Sequence, residues 1–198
     1  MINNKKAQIT AVAIVAVIVV VIIILGAMII GTYNSLVSKD VEVQNKWGFV
    51  ESAYQRRLDL IPNLVSTVKG SSEWEKNTQT QIASLRSQVN GAKNPDDMKS
   101  VDTGTSSLIR SINVQVEAYP DLKSTENFRA LQDELAGSEN RIKFERDNYN
   151  TAVKSYQTAT RTFPGAIFAS MFGFLPDKYK FFGASEEAQN APKVNFTS

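Results

Sequence analysis

An uninterrupted apolar run near the N-terminus is the strongest pattern in the chain. Residues 11–31 carry no charged side chain, and at ~1.5 Å per helical residue they cover the ~30 Å hydrocarbon core of a bilayer. Val and Ile also favour strands, but strands rarely exceed ~10 residues and a lone strand in lipid leaves its backbone unpaired. A cleaved signal peptide would have a shorter apolar part and small residues where this chain has Met28, Ile29 and Ile30. The run therefore predicts a transmembrane helix.

Two further stretches follow with helical spacing of their apolar positions. No strong helix breaker separates the first from the span, so we expect the membrane helix to continue outward until Pro62 kinks or ends it. The second covers residues 63–89, with a restart at Ser72, because Ser72 followed by Glu75 fits a capping box, and a stop at Gly91. The apolar positions of the first stretch are Val37, Val41, Trp47, Val50, Tyr54, Leu58 and Ile61.

The third stretch has a clear start signal. Asn94 can cap free N–H groups, Pro95 suits the first helical position, and two acids favour the positive end of the helix dipole. Pro120 lies just past its expected end. Its predicted buried side is Met98, Val101, Thr105, Leu108, Ile112, Val116 and Tyr119.

The last helix shows nearly a heptad repeat. Ser124 can cap it, and about 38 residues at 1.5 Å give a rod of ~57 Å, which needs a partner of similar length. The expected seam comprises Phe128, Leu131, Leu135, Ser138, Ile142, Glu145, Tyr149, Ala152, Tyr156, Ala159 and Phe163.

These stretches predict an all-α fold. A single N-terminal transmembrane helix continues into an antiparallel bundle of long helices, about four of them in the soluble part. The expected organisation is a short N-terminal segment 1–10, the span 11–31, a helical-bundle domain 33–164, an apolar and aromatic segment 165–183, and a polar, disordered tail 184–198.

Residues 166–175 form an apolar, aromatic segment too short to span a bilayer. Three interpretations remain open. The segment can fold back and cap the bundle end, form a self-association or partner surface, or lie in the membrane interface. The last requires the final helix to return towards the membrane. The candidate interaction residues are Phe168, Met171, Phe172 and Phe174.

Composition narrows the chemistry. The chain has no histidine and no cysteine, which removes the commonest general base, the commonest metal ligands and the thiol nucleophile. Residues 33–198 carry 20 basic and 20 acidic side chains, since Lys5 and Lys6 precede the span, so nucleic-acid binding has no basic footprint. We expect no catalytic, cofactor-binding or metal-binding residue and no cofactor.

Two polar clusters near the apolar seams are the remaining candidates. An arginine at position 56 or 57 can pair with Asp59 or with an acid on the long helix such as Glu139. The architectural interpretation is an interhelical polar network that fixes helix register, and the functional one is a docking surface for another chain. The candidate residues are Arg56, Arg57, Asp59, Pro62, Asn63, Glu139, Asn140 and Arg141.

The motifs together resemble the LemA family of bacterial membrane proteins. The resemblance covers nearly the whole chain, from the span to about Phe182, and it implies an antiparallel helical bundle behind one membrane anchor without supplying a reaction. The residues that carry it are 33–37 (YNSLV), 56–65 (RRLDLIPNLV), 119–123 (YPDLK), 127–128 (NF), 131–135 (LQDEL), 139–142 (ENRI), 149–150 (YN) and 163–164 (FP).

The predicted membrane anchor, the long helices and the lack of catalytic side-chain types favour a non-enzymatic scaffold or adaptor of the bacterial cell envelope. Its partners would be the lipid bilayer, unidentified proteins and further copies of the chain. The alternative is a membrane-tethered sensor that binds a small molecule or peptide in a pocket lined partly by Arg56 or Arg57. Lys5 and Lys6 before the span, against Lys39 after it, favour a cytoplasmic N-terminus and a periplasmic bundle on the inner membrane.

Overall fold

The computed structural model describes residues 2–68, 72–117 and 125–183, with side chains from residue 12 onward. In these ranges the chain is helical and has no strand, which confirms the all-α class with an N-terminal membrane-type helix. The helices are α1 (Ile2–Thr67), α2 (Ser72–Gly91), α3 (Pro95–Glu117), α4 (Glu126–Arg161) and α5 (Gly165–Met171).

The N-terminal part of α1 presents its apolar side chains outward. From Val12 to Leu25 the large aliphatic side chains are exposed, and the most apolar window has a mean hydropathy of 3.5 with none of it buried. Among the described helices this one is long and apolar enough to cross a membrane. Thr32 Oγ1 donates to the Met28 carbonyl at 2.8 Å, so this hydroxyl is satisfied within the helix.

The described chain divides into two compact units. The larger unit contains Val43–Val153 and Tyr179–Ser198, described to residue 183, and the smaller contains Met1–Glu42 and Lys154–Lys178.

In the larger unit, successive helices run antiparallel. Along α1 and α2, Asp59 pairs with Arg86 while Gln55 meets Asn90, so the numbers rise in opposite directions. Gln88 accepts from Ser100 at 3.2 Å across α2 and α3, and Gln132 donates to Asn113 at 3.3 Å across α3 and α4. The up-and-down order closes where α4 packs on α1, with the Trp47 and Tyr149 rings 5.4 Å apart.

The core of the larger unit contains most of the predicted apolar positions together with Val43 and Val153, which were not predicted, whereas the predicted Leu131 is only half-buried. Every residue named in advance for the α3 side that the structure describes is buried, and Tyr119 lies outside the described residues. Fully burying one such side chain contributes about 1.5–3 kcal/mol. Its largest members are Tyr54, Leu58, Ile61, Leu64, Ile82, Met98, Leu108, Ile112 and Ile142.

Three helix boundaries follow their sequence signals. The Asn94 Oδ1 atom accepts from the Asp96 N–H at 2.9 Å, and Asp97 Oδ2 accepts from the Lys93 N–H at 2.8 Å, which is a reciprocal cap on α3. The stop at Gly91 and the restart at Ser72 also match α2. Ser124 and Pro120 lie outside the described residues. Thr125 Oγ1 accepts from the Phe128 N–H at 3.4 Å at the start of α4.

Two expected boundaries are wrong. Helix α1 passes through Pro62 and ends at Thr67, because Leu64 and Val65 beyond the proline are buried and offset its cost of ~3 kcal/mol. Helix α4 ends at Arg161, so Phe163 is outside the seam and 74% exposed. A residue that precedes proline disfavours the helical conformation, which explains the early end.

In the smaller unit, α5 packs against the segment of α1 that follows the apolar run. Ala169 of α5 is buried, and a Cβ atom added to Gly165 would contact Leu36 at 3.9 Å. Tyr156 of α4 donates to the Leu175 carbonyl at 3.1 Å. Lys39 of α1 donates to Ser155 of α4 at 2.8 Å. The final part of α4 therefore lies beside residues 33–40 of α1.

The close approach at Gly165 generates a prediction. A Cβ atom there would overlap the Ala159 carbonyl oxygen, which is backbone and cannot rotate away. We expect Gly165→Ala to cost about 1–3 kcal/mol by overpacking, and to speed amide exchange across α5 roughly 5- to 150-fold. Gly137→Ala is the matched control, because its Cβ meets nothing within 4 Å. Equal exchange of α5 in both variants would contradict the overlap.

Candidate functional site

An open groove runs between α1 and α4 on the surface of the larger unit. Its volume is about 540 Å³. We call it the α1–α4 groove. Its lining residues are Phe49, Ser52, Ala53 and Arg56 of α1 with Glu134, Gly137, Ser138, Arg141 and Glu145 of α4.

Small side chains form the floor of the α1–α4 groove. Ala53 and Ser138 are buried, and Gly137 has open space where a Cβ would lie. Ser52 Oγ donates to the Gly48 carbonyl at 2.8 Å, and Ser138 Oγ donates to the Leu135 carbonyl at 2.6 Å. Both hydroxyls are satisfied within their own helices, so neither serine places an unpaired polar group in the groove.

Charged side chains border this floor. The Glu145 side chain is 3% exposed and is held by Arg141 Nε at 2.7 Å and by Asn148 Nδ2 at 3.1 Å. Arg141 itself is exposed and lies over the Phe144 ring. Arg56 is exposed and forms no ion pair with a described residue. The rim therefore contains Arg141, which is paired with Glu145, and Arg56, which has no ion pair with a described residue.

The two neighbouring arginines of α1 have different positions. Arg57 is buried, and its Nη1 lies 2.5 Å from Glu139 Oε2. Of the two partners considered for this arginine pair, Glu139 is the one found, whereas Asp59 pairs with Arg86 at 2.6 Å. Arg56 lines the α1–α4 groove and a second, shallower groove of about 440 Å³.

The other candidates on these helices do not join one network. Pro62 is half-buried, Asn63 and Asn140 are exposed, and Arg141 pairs with Glu145 rather than with α1. Only the Arg57–Glu139 pair connects the two predicted polar clusters.

A polar network that no sequence motif indicated connects α1, α3 and α4. Arg146 donates to the Tyr54 hydroxyl and to Asp102, while the Tyr54 hydroxyl donates to Asp102 Oδ1 at 2.8 Å. The Arg146 guanidinium also lies 5.0 Å from the Phe182 ring centroid. Burial is the main reason that the pKa of Tyr54 is raised. These residues come from three helices and a distant segment, and no local sequence pattern connects them.

An aromatic cluster in the larger unit holds Phe182 against α1 and α4. The Phe182 ring is stacked on Trp47 at 5.9 Å and meets Tyr149 edge-on at 5.5 Å. The Asn150 amide accepts from the Phe182 N–H at 2.8 Å and donates to its carbonyl at 3.1 Å. Tyr149 is buried as predicted, whereas Trp47 and Trp74 are half-buried.

The candidate residues after α4 lie in the smaller unit. Phe168 and Phe174 are half-buried, while Met171 and Phe172 are exposed. In the parts of the chain that the structure describes, no three carboxylates lie close enough to hold a metal ion.

Comparison with known proteins supports the motif resemblance. The LemA family model matches residues 46–196. The chain is 27% identical to Protein LemA of Metamycoplasma hominis over 68% of this chain and 62% of that protein. It is 23% identical to the magnetosome proteins MamQ 1 and MamQ 2 of Paramagnetospirillum magneticum, over 77% of this chain and 66% of each relative. The chain therefore spans somewhat less than two thirds of the length of these curated relatives.

The Arg57–Glu139 pair predicts an asymmetric response to mutation. The Arg57 side chain is 10% exposed and the Glu139 side chain 36%, so Glu139→Ala leaves a buried guanidinium unpaired, whereas Arg57→Met leaves a carboxylate that reaches water. We expect Glu139→Ala to cost about 1–3 kcal/mol, less than the ~3–5 kcal/mol of a fully buried pair, and more than Arg57→Met.

The measurement is urea unfolding in mild detergent, followed by circular dichroism. Asp59→Ala is the matched control, because the Asp59 and Arg86 side chains are 63% and 42% exposed. Its cost should stay below ~1 kcal/mol. A loss for Asp59→Ala as large as that for Glu139→Ala would contradict the burial argument.

The aromatic cluster predicts a late tyrosine titration. Burial, and then the neighbouring Tyr179 phenol, raise the pKa of Tyr149 to about 12. The neutral phenol is favoured in the folded state, so its stabilisation is complete below the ordinary pKa of ~10 and is lost as the pH rises through about 12. Tyrosinate absorbance should show that Tyr149→Phe removes a component with its midpoint near 12. Loss of a component near 10 would contradict this.

Proposed function

The chain belongs to the LemA family, and from that premise we propose that it is a membrane-anchored helical scaffold that receives a helix of a partner protein in the α1–α4 groove. The single observation that carries the proposal is the small-residue floor of this groove between two antiparallel helices. A third helix packs against two others at interaxial distances of about 8–10 Å, and small residues allow the shorter end of that range.

The chemistry of the rim specifies the partner. Phe49 is 52% exposed beside the floor, so an apolar stripe of the incoming helix would cover it. Arg56 has no ion pair with a described residue and would meet an acidic side chain next to that stripe. The expected occupant is an amphipathic helix with a carboxylate at the edge of its apolar face.

A binding role also agrees with the side chains available. The chain has no histidine and no cysteine. The buried Glu145 side chain is held in place by Arg141 and Asn148. These contacts stabilise helix positions. A non-enzymatic role therefore needs no group beyond those described.

The anchor supports a location in the bacterial inner membrane. The apolar part of α1 suits a bilayer, and Lys5 and Lys6 precede it against Lys39 after it. The positive-inside bias therefore favours a cytoplasmic N-terminus and a periplasmic bundle.

A sensor role is the second candidate, because about 540 Å³ is within the ~300–1,000 Å³ of small-molecule sites. Such sites enclose most of the ligand surface, whereas the α1–α4 groove is open along one side. This openness favours a helix over a small molecule.

Photocrosslinking in native membranes tests the scaffold proposal. A photoreactive amino acid at Ser52, which is exposed in the groove, should give an adduct whose crosslinked peptide is an acidic amphipathic helix. Gly137→Trp adds an indole at the groove, at a position where the new Cβ atom meets nothing within 4 Å, and should reduce the adduct about tenfold. Ala136→Trp, exposed on the same helix but outside the groove, is the matched control.

A charge reversal provides the second arm. Arg56→Glu should weaken the adduct, and Arg110→Glu, exposed on α3, should not. An adduct to a second copy of the chain would contradict a separate partner protein and would show that the groove binds another copy of the chain. An adduct equally strong with Gly137→Trp would contradict the groove as the docking surface.

A further inference from the structure

Tyr33 marks the level at which α1 leaves the apolar run. Residues 11–31 span about 30 Å as a helix, and Tyr33 follows ~3 Å further along the axis. Its side chain is 43% exposed. Tyrosine favours the headgroup level, where its ring meets hydrocarbon and its hydroxyl meets water. With the run in a bilayer, Tyr33 therefore lies in the interfacial layer.

The segment after α4 packs directly on this tyrosine. The Phe172 ring lies edge-on to Tyr33 with centroids 5.1 Å apart, and the Phe174 ring does so at 6.0 Å. Phe168 is stacked on Phe172 at 6.4 Å. All of these residues belong to the smaller unit. A ring within about 5 Å of an interfacial tyrosine is itself within reach of the headgroup layer, which is several ångströms thick on each side.

The same segment exposes large apolar side chains. Ile167 is 55% exposed, Met171 69% and Leu175 64%. Together with Phe172, which is 39% exposed, they form what we call the juxtamembrane patch. Exposed apolar clusters in water are unfavourable, whereas the interface of a bilayer accepts aliphatic and aromatic side chains.

Polar contacts hold the juxtamembrane patch in place. Lys178 Nζ lies 2.7 Å from Asp40 Oδ1, and Arg161 Nη2 lies 2.5 Å from Asp177 Oδ1. The Phe174 N–H donates to the Ala169 carbonyl at 2.8 Å. The patch is thus a fixed surface whose position relative to Tyr33 is set by the fold.

We propose that the juxtamembrane patch inserts into the headgroup layer of the same bilayer that α1 spans, as a second membrane contact. The occupant is the lipid surface, because the patch contacts Tyr33, which directly follows the exposed apolar run of α1. This inference rests on the membrane anchor of the proposed function and is independent of the α1–α4 groove.

The test uses single spin labels in the full chain, reconstituted in liposomes. The chain has no cysteine, so Met171→Cys gives one unique labelling site at an exposed position. Collision rates with oxygen, which concentrates in lipid, are compared with those of a water-soluble nickel chelate. Val19→Cys in the span is the lipid reference, and Ala136→Cys, exposed in the larger unit, is the bundle reference.

Insertion predicts that the oxygen-to-nickel ratio at position 171 exceeds the ratio at position 136 about threefold or more, with a depth of roughly 5–10 Å. A ratio at 171 equal to that at 136, with 19 in lipid, would overturn the second contact and leave the anchor intact. Dipolar broadening between labels at 171 would overturn it in favour of contact between copies. A water-exposed label at 19 would overturn the anchor and this inference together.

Discussion

The antiparallel return of α4 along α1 is the constraint on which the rest of the structure depends. In the larger unit it brings Tyr149 against Trp47 and Glu139 against Arg57. In the smaller unit it brings Ser155 to Lys39. Because α4 returns, the chain that follows it lies beside the segment of α1 that comes after the apolar run. Both candidate surfaces, the α1–α4 groove and the juxtamembrane patch, are consequences of this pairing.

We expect the Arg57–Glu139 pair to specify the register of the helices more than it adds stability. Arg57 is buried with a single carboxylate partner, and the desolvation of such a pair cancels much of its attraction. Apolar burial supplies the stability, since the neighbouring Leu58 and Ile61 are fully buried. A shift of α4 by one turn would leave the Arg57 guanidinium without its carboxylate. The pair is therefore expected to favour the observed alignment of α4 on α1.

The sequence predicted the features that local physics determines: the span, the helical stretches, and the cap at Asn94. The end of α1 was misplaced because burial beyond Pro62 outweighs a local penalty. Arg56 or Arg57 was expected to line a pocket, and Arg56 lines the α1–α4 groove, whereas Gly137 was not predicted because a small residue on a helix carries no chemical signal of its own. The network of Arg146 depends on contacts between distant segments, which periodicity does not encode.

The two candidate surfaces differ in the kind of occupant that their side chains suit. The juxtamembrane patch is aliphatic and aromatic, and its nearby charges, such as Lys178 and Asp40, are paired with each other. Lipid accepts such a surface because no polar group there demands a partner. The α1–α4 groove combines small residues with an arginine that has no described counter-ion, and a protein can supply both shape and charge to match. The two proposed contacts therefore call for different occupants, a lipid surface for the juxtamembrane patch and a protein helix for the α1–α4 groove.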